Sequence, residues 1–222
     1  MSFDWKWDFT WQILPRLLWA TLNTLMAAGI GYAIAMVLGL VFALAQRTGW
    51  RPLTFVVREF IEFIRSTPLV LQIFFIFYVG PQFGIRLSPW VSGMIAIGLH
   101  YSAYLSEVYR AGIEAVPKGQ WEACRALNMS TRDTYFRIVI PQALPPSIPG
   151  MGNYLVGIFK DTPMLSVIGV AELMQTANAI GSETYRFLEP FTLVGVIFLA
   201  LSLPTAGLVR LLEIRVRRKL GM

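Results

Sequence analysis

Cysteine, histidine and charged side chains are all scarce in this sequence. Its 222 residues include one cysteine, Cys124, and one histidine, His100, and 14% of the residues are charged. A single cysteine excludes a disulfide framework and a cysteine-based metal cluster, and a single histidine excludes a histidine-rich metal site. The sequence also lacks a Gly-x-x-x-x-Gly-Lys-[Ser/Thr] loop, the segment that cradles nucleotide phosphates. We therefore expect neither a metal site nor a catalytic site on this chain.

Hydrophobic residues, in contrast, are abundant in this sequence. They make up 55% of the sequence, the mean hydropathy is +0.57, and several runs approach the roughly 20 residues that cross a bilayer. This composition predicts an all-α, polytopic membrane protein, with a single domain over residues 1–222 and about five transmembrane helices. The predicted spans are 17–46, 60–79, 90–110, 141–159 and 191–212.

The fourth predicted span is rich in helix-breaking residues. Pro145, Pro146 and Pro149 fall inside it, followed by Gly150 and Gly152. Proline removes a backbone donor and clashes with the preceding turn, so we expect this span to be interrupted. Interrupted backbone is tolerated at membrane depth only beside other helices or a water-filled cavity. The fourth span should therefore face protein or a pathway.

Lysine and arginine are unevenly distributed along the chain. They concentrate in residues 47–65, 110–137 and 210–219, whereas the alternate segments contain few of them. Because positively charged loops stay on the cytoplasmic side, this pattern predicts an external N-terminus and a cytoplasmic C-terminus. The basic C-terminal segment is typical of an anchor to lipid headgroups. The net charge of +6 is thus a topology signal, and no nucleic-acid partner is expected.

A polar segment, 116–141, separates the third and fourth predicted spans and favours a helix, a tight turn and a second helix. We call this segment the elbow. Trp121, Cys124 and Leu127 share one face of the first helix, which makes that face apolar. Asn128 follows, and asparagine readily takes the left-handed conformation that ends a helix.

The second half of the elbow carries its own start and stop signals. Ser130 with Asp133 three residues later resembles a capping box, Ile138 belongs to the next apolar stripe, and Pro141 is expected to close the helix. Spacing alone leaves two interpretations open. The elbow is either a docking element for a partner or an amphipathic loop packed on its own helices.

The elbow also resembles a known motif. Residues Glu122–Pro141 are similar to the EAA loop of binding-protein-dependent ABC importer permeases, which has Glu-Ala-Ala, three residues, Gly, nine residues and Ile-x-Leu-Pro. The spacing matches throughout. Cys124 replaces the second alanine, Asn128 the glycine and Ile140 the leucine. These changes keep a small residue at 124, a turn-forming residue at 128 and an apolar side chain at 140, so they do not weaken the resemblance.

This resemblance implies a type I (MetI-like) importer fold in the bacterial inner membrane. Two permease subunits would form the pathway, two ATPase subunits would bind ATP and Mg²⁺, and an extracytoplasmic solute-binding protein would deliver the cargo. No cofactor is then expected on this chain, which would be a transport subunit and not an enzyme. The residues implied to couple to the ATPase are Glu122, Ala123, Cys124, Leu127, Asn128, Ile138 and Pro141.

Further segments narrow the type. Phe63–Leu69, Tyr109–Trp121 and Phe159–Pro163 resemble the polar amino-acid permeases, and within that type Gly98–Tyr104 and Gly181–Pro190 are most similar to ectoine and hydroxyectoine permeases. The implied cargo is ectoine or hydroxyectoine, with a polar amino acid such as glutamate, glutamine, arginine or histidine as the alternative. The ectoine type also favours a heterodimer of unlike permeases.

Polar side chains at membrane depth are candidates for the transport pathway, because a charge at the bilayer centre costs about 2.5–3.5 kcal/mol on insertion scales. His100, Tyr101 and Tyr104 could hydrogen-bond a zwitterion or face a cation, although a lone histidine can equally satisfy an interhelical hydrogen bond. Lys160 and Asp161 could line a cavity, or pair with each other or with headgroups. Thr162 follows them, in the segment shared with the amino-acid permeases.

The second predicted span contains a further candidate, a polar segment that ends in proline. Proline there disfavours a continuous helix and would create either a gate or a plain kink. The residues concerned are Arg65, Ser66, Thr67 and Pro68.

Two other classes of protein compete with the importer. A secondary transporter or channel would need no ATPase, but the elbow, the lack of a detectable inverted repeat and the few ionisable groups at span centres disfavour it. A non-transporting scaffold would have no reason to place His100 at mid-span.

Overall fold

The computed structural model describes residues 4–220, apart from the side chains of Arg217, Lys219 and Leu220, which belong to the basic C-terminal segment. All regular structure in that range is helical, which confirms the predicted all-α class. In chain order the helices are α1 (Trp7–Ala45), α2 (Arg51–Ser66), α3 (Leu69–Phe74), α4 (Pro89–Glu114), α5 (Lys118–Ala126), α6 (Thr131–Asp133), α7 (Ile140–Asp161), α8 (Leu173–Thr184) and α9 (Leu188–Leu220). Short segments of other helix types continue some of these helices. Two are π-helical, Phe75–Val79 after α3 and Thr134–Val139 between α6 and α7. Two are 3₁₀-helical, Gly80–Phe83 and Thr162–Ile168, the latter after α7.

Two single helices and two bent pairs are long and apolar enough to cross a bilayer. Among the described residues, Trp7–Ala45 and Leu188–Val216 qualify alone, and each bent pair qualifies when it is taken as one broken span. The more polar α4 has 26 residues, which at about 1.5 Å per residue exceeds the roughly 30 Å of the hydrocarbon core. The fold is thus a polytopic helical bundle with about four to five spans.

The second predicted span, 60–79, is two helices instead of one. α2 ends at Ser66, Thr67 and Pro68 are extended, and α3 begins at Leu69. The direction of the helix changes by 108° at this break. Proline fixes its own φ and disfavours the helical conformation of the residue before it, so the helix ends where the sequence places Pro68.

The expected breaks at Pro141 and within the fourth span are wrong. The helix runs without interruption from Thr131 to Asp161, and it passes through a π-helical stretch, Thr134–Val139, just before Pro141. Pro141, Pro145 and Pro149 are four residues apart and lie on one face, so the missing N–H groups weaken one side of the helix without cutting it.

Close packing of α7 against its neighbours supports this proline-rich helix. α7 lies between α4 and α9, which agrees with the prediction that the fourth span faces protein. A Cβ added at Gly112 of α4 would lie 2.1 Å from Ser147 Oγ, and one added at Gly152 would lie 2.6 Å from Val209 Cγ1. Glycine therefore lets these helices approach closely, which is a common route to helix association in membranes.

Small residues also join α1 to α4 in the main core. A Cβ added at Gly98 would lie 2.4 Å from Ile34 Cγ2, and one added at Gly39 would lie 2.9 Å from Leu105 Cβ. A second apolar cluster joins the first half of α1 to α8 and α9, and it includes Leu17.

Candidate functional site

The turn of the elbow has the geometry of a Schellman motif. Asn128 has a φ of 50° and lies in the left-handed region, as the sequence predicted. Its N–H donates to the Arg125 carbonyl, and the Met129 N–H donates to the Cys124 carbonyl, both at 3.0 Å. These two bonds satisfy carbonyls that the end of α5 would otherwise leave without partners. The first arm of the elbow therefore ends at a defined angle.

Ser130 caps the second arm. Its Oγ accepts a hydrogen bond from the Asp133 N–H at 3.1 Å, and its hydroxyl donates to Asp133 Oδ2 at 2.7 Å. The predicted cap is therefore confirmed, although the carboxylate contacts the serine hydroxyl and not its backbone N–H.

The predicted coupling residues divide into buried and exposed groups. Cys124 is 4% exposed and packs beneath the elbow, whereas the Leu127 side chain is 74% exposed. Leu127 still follows the helical pattern of α5, since its N–H donates to the Ala123 carbonyl at 3.0 Å, so the predicted apolar face is buried at Cys124 and exposed at Leu127. Glu122, Ala123, Asn128 and Pro141 are exposed, and Ile138 is half-buried.

A second candidate site lies between α4, α7 and the end of α2. The Tyr101 hydroxyl donates to Asp161 Oδ2 at 2.7 Å. The Tyr154 ring centroid is 6.1 Å from that of Tyr101 and 5.6 Å from that of Tyr104. The Arg65 guanidinium carbon lies 5.6 Å from the Tyr104 ring centroid, within cation–π range. We call these five residues the tyrosine cluster.

The tyrosine cluster combines opposite charges on an aromatic support. Tyr104, Tyr154 and Asp161 are half-buried and Arg65 is exposed, so the cluster has an accessible side. The bond from Tyr101 fixes the orientation of the Asp161 carboxylate. The arrangement can accept hydrogen bonds from an ammonium group at Asp161 and donate them to a carboxylate from Arg65.

His100 lies beside this cluster in a separate hydrogen-bond network. Its Nδ1 is 3.2 Å from Gln72 Oε1, and Gln72 Nε2 donates to the Ile64 carbonyl and to Thr67 Oγ1, each at 2.8 Å. Because the amide nitrogen faces these acceptors, its oxygen faces the histidine, and Nδ1 is therefore the donor. His100 thus joins α4 to the break between α2 and α3, the interhelical role that the sequence left open.

The structure separates the remaining pathway candidates from the cluster. The Thr162 hydroxyl is buried and donates to the Phe159 carbonyl at 2.8 Å. Lys160 is exposed and lines a groove with residues of α9, while its neighbour Asp161 contacts α4. These two residues therefore do not pair with each other. Ser66 is exposed and Pro68 precedes α3, so both mark the helix break.

Sequence reasoning missed two members of this region, Gln72 and Tyr154. Gln72 is the one amide within the apolar run 69–79, which is a sign of a buried polar contact at membrane depth. Tyr154 precedes Asp161 by seven residues, or about two helical turns, so the two share a face of α7. Helical phase would have pointed to this tyrosine.

Comparison with known proteins decides the family. Residues 31–218 match the model of a family described as the inner membrane component of binding-protein-dependent transport systems. The chain belongs to that family. It is therefore a multi-pass inner membrane permease subunit, the non-catalytic membrane component of an ABC importer. Its partners include ATPase subunits and a binding protein, which sets aside the ATP-independent alternative.

Named relatives agree with this assignment along the whole permease. A probable amino-acid ABC transporter permease of Sinorhizobium fredii is 41% identical, over 99% of this chain and 98% of that protein. The glutamine transport system permease of Escherichia coli is 33% identical, over 98% of this chain and 99% of that protein. A crystal structure of an amino acid ABC transporter with histidines matches with a TM-score of 0.87 and 33% identity, over 97% of this chain and 100% of that one.

Proposed function

We propose that this permease imports a polar amino acid which a binding protein delivers from outside the cell. The observation that carries the proposal is the tyrosine cluster, where the Asp161 carboxylate and the Arg65 guanidinium lie around three phenol rings. An α-amino acid presents an ammonium and a carboxylate group, which complement these two charges. The relatives named for amino acids and glutamine support the same class of cargo.

Ectoine and hydroxyectoine are the second candidate cargo. Both are compact zwitterions, so the charges at Asp161 and Arg65 suit them as well. The names of the relatives favour the amino acid over ectoine, although the sequence motifs favoured the ectoine type. An uptake measurement distinguishes the two.

We further propose that the elbow docks on the ATPase from the cytoplasmic side, with the N-terminus outside and the C-terminus inside. Its exposed face presents Glu122, Ala123, Leu127 and Asn128 to a partner. Cys124 and the half-buried Ile138 support that face from beneath, and Pro141 follows where the second arm joins the bundle. A second permease, unlike this one, would complete the pathway, together with two ATPase subunits that bind ATP and Mg²⁺.

The cargo is tested by competitive uptake into proteoliposomes that contain the assembled importer and its binding protein. Labelled glutamine is competed with arginine, histidine, ectoine and hydroxyectoine. We expect the amino acids to compete and ectoine to have no effect. Uptake of labelled ectoine without uptake of labelled glutamine would contradict the amino-acid proposal and support the ectoine alternative.

Substitutions in the tyrosine cluster test the site itself. Asp161→Asn removes the carboxylate charge while it preserves an acceptor for Tyr101, and we expect uptake to fall about tenfold or more because a charge-assisted hydrogen bond is lost. Tyr32→Phe is the matched control, since it removes a tyrosine hydroxyl of α1 that donates to the Met151 carbonyl of α7, the helix that carries Asp161. Equal uptake by the Asp161→Asn and wild-type importers would exclude the cluster from the pathway.

A further inference from the structure

Arg47 contacts three parts of the cytoplasmic side at once. It lies in the turn after α1, and its guanidinium carbon is 5.5 Å from the ring centroid of Trp121 on α5. Its Nε donates to the Tyr135 hydroxyl of the second arm at 3.3 Å, and its NH1 is 4.0 Å from Glu114 Oε1 at the end of α4. One side chain therefore joins α1, α4 and both arms of the elbow.

We propose that Arg47 is a positioning residue, which fixes the angle of the elbow relative to the cytoplasmic ends of α1 and α4. The inference rests on the proposed coupling role of the elbow. Any movement that the ATPase imposes on Trp121 or Tyr135 then reaches α1 as well as α4 and α7, the two helices that the elbow joins in the chain.

Apolar packing also holds the elbow, but it does not define an orientation. Val116 and Val139 are buried beneath Trp121 and Tyr135. Such contacts are roughly proportional to area and non-directional, so two packed surfaces can slide. A planar guanidinium stacked on one ring and hydrogen-bonded at its edge accepts a much narrower range of geometries. Arg47 thus fixes the orientation of the elbow, which the apolar cluster does not define.

The open packing of the elbow makes this contact important. Residues of both arms and of the ends of α1 and α4 line a groove of about 560 Å³, and Arg47, Glu114 and Trp121 are among them. Arg47 crosses the groove from the α1 side.

Arg47 contributes little to stability. Its side chain is 31% exposed and that of Glu114 is 51% exposed, and ion pairs at such sites are weak. Substitution should therefore leave the subunit folded. A positioning role can therefore be distinguished from a structural one, because substitution of Arg47 should reduce coupling and not the amount of assembled importer.

The test compares Arg47→Gln, Arg47→Lys and Tyr135→Phe in the complete importer. Arg58→Gln is the matched control, since this exposed arginine contacts Glu59 and Phe55 of its own helix. The measurements are the yield of the permease–ATPase complex, its basal ATP hydrolysis, the stimulation of hydrolysis by loaded binding protein, and uptake.

We expect Arg47→Gln to keep the yield and the basal rate but to lower both stimulation and uptake about fivefold or more, the usual lower range of coupling between sites. Arg47→Lys should be intermediate, because it keeps the charge and loses the planar fork. Tyr135→Phe should show a smaller loss, and Arg58→Gln none. Full stimulation and uptake in Arg47→Gln, or an equal loss in Arg58→Gln, would overturn the proposal.

Two further outcomes are assigned in advance. If Arg47→Gln does not assemble, Tyr135→Phe decides, since unchanged stimulation in that variant overturns the proposal and a reduced one supports it. Glu122→Lys tests the elbow itself. If Glu122→Lys abolishes uptake while Arg47→Gln does not, the proposed role of Arg47 is wrong and the coupling role of the elbow stands. Normal uptake in Glu122→Lys would contradict the coupling role of the elbow, on which the proposal for Arg47 rests.

Discussion

At the scale of single residues, Asn128 shows how one backbone angle sets the shape of the elbow. With a φ of 50°, it occupies a conformation that asparagine and glycine tolerate and that β-branched residues resist. The residue type, more than any side-chain contact, is what the turn requires.

Substitution at this position should therefore separate backbone shape from side-chain chemistry. Asn128→Gly should be close to neutral, whereas Asn128→Val should destabilise the turn by about 1–2 kcal/mol and reduce the stimulation of the ATPase. Thermal unfolding in detergent and stimulated ATP hydrolysis check the two effects. A valine variant with normal stimulation would show that the left-handed turn is not needed for coupling.

Gln72 is a second residue on which a larger arrangement depends. Gln72→Leu leaves the Ile64 carbonyl and the His100 Nδ1 buried without this partner, which should lower the free energy of unfolding by about 1–3 kcal/mol. Gln12→Leu, at an exposed position of α1, is the control. Equal melting temperatures for the two variants would contradict a structural role for this network.

At the scale of elements, local signals predicted the elbow well. The helix before Asn128, its left-handed turn and the Ser130 cap all follow from interactions within a few residues, so the sequence contains them completely. Pro68 was likewise expected to disturb a helix, because its effect acts on the adjacent residue. The outcome there was a full break and not a kink.

Elements that depend on distant partners were predicted less well. The fourth span was expected to break, but α7 stays continuous because it packs closely between α4 and α9. Helical phase placed Leu127 on the same face as Cys124, but it could not show that this chain covers Cys124 and leaves Leu127 exposed. The tyrosine cluster was predicted only in part, because no local sequence signal shows that residues of α2, α4 and α7 are in contact.

The glycine contacts between helices give a prediction at this scale. Gly112→Ala would put a Cβ 2.6 Å from the Ala143 carbonyl oxygen of α7, so we expect a loss of about 1–3 kcal/mol of stability. Gly29→Ala is the matched control, because no atom lies within 4 Å of its added Cβ, and it should gain up to about 1 kcal/mol from helix propensity. Thermal unfolding of both variants checks the difference. Equal shifts would mean that α4 and α7 are not in close contact.

At the scale of the whole molecule, ion pairs lie where the N-terminal part of α1 meets the end of α8 and the start of α9. Arg16 of α1 makes two hydrogen bonds to the Glu183 carboxylate of α8, at 2.6 and 2.9 Å. Arg186 bonds Glu189 and the Asp4 carbonyl, and so connects the start of α9 to the N-terminal segment. Together with the apolar cluster between the same helices, these bonds favour movement of the three helices as a unit.

The proposed orientation can be tested by labelling from each side of the membrane. The native Cys124 is buried, and Cys124→Ala provides a background without thiols. Tyr185→Cys, at a side chain that is 89% exposed, should react with a charged thiol reagent in intact cells. Leu127→Cys, expressed without the ATPase, should react only in inverted vesicles. The reverse pattern would contradict an external N-terminus.

The sharp break after Ser66 has a mechanical consequence. A rod that turns through 108° cannot carry torque from one arm to the other along its own axis. Gln72 of α3 instead binds both the Ile64 carbonyl of α2 and His100 of α4, so a twist of α2 passes sideways to these two helices at the break. Rotation at this point is therefore shared among three neighbouring helices and is not carried along a single helix axis.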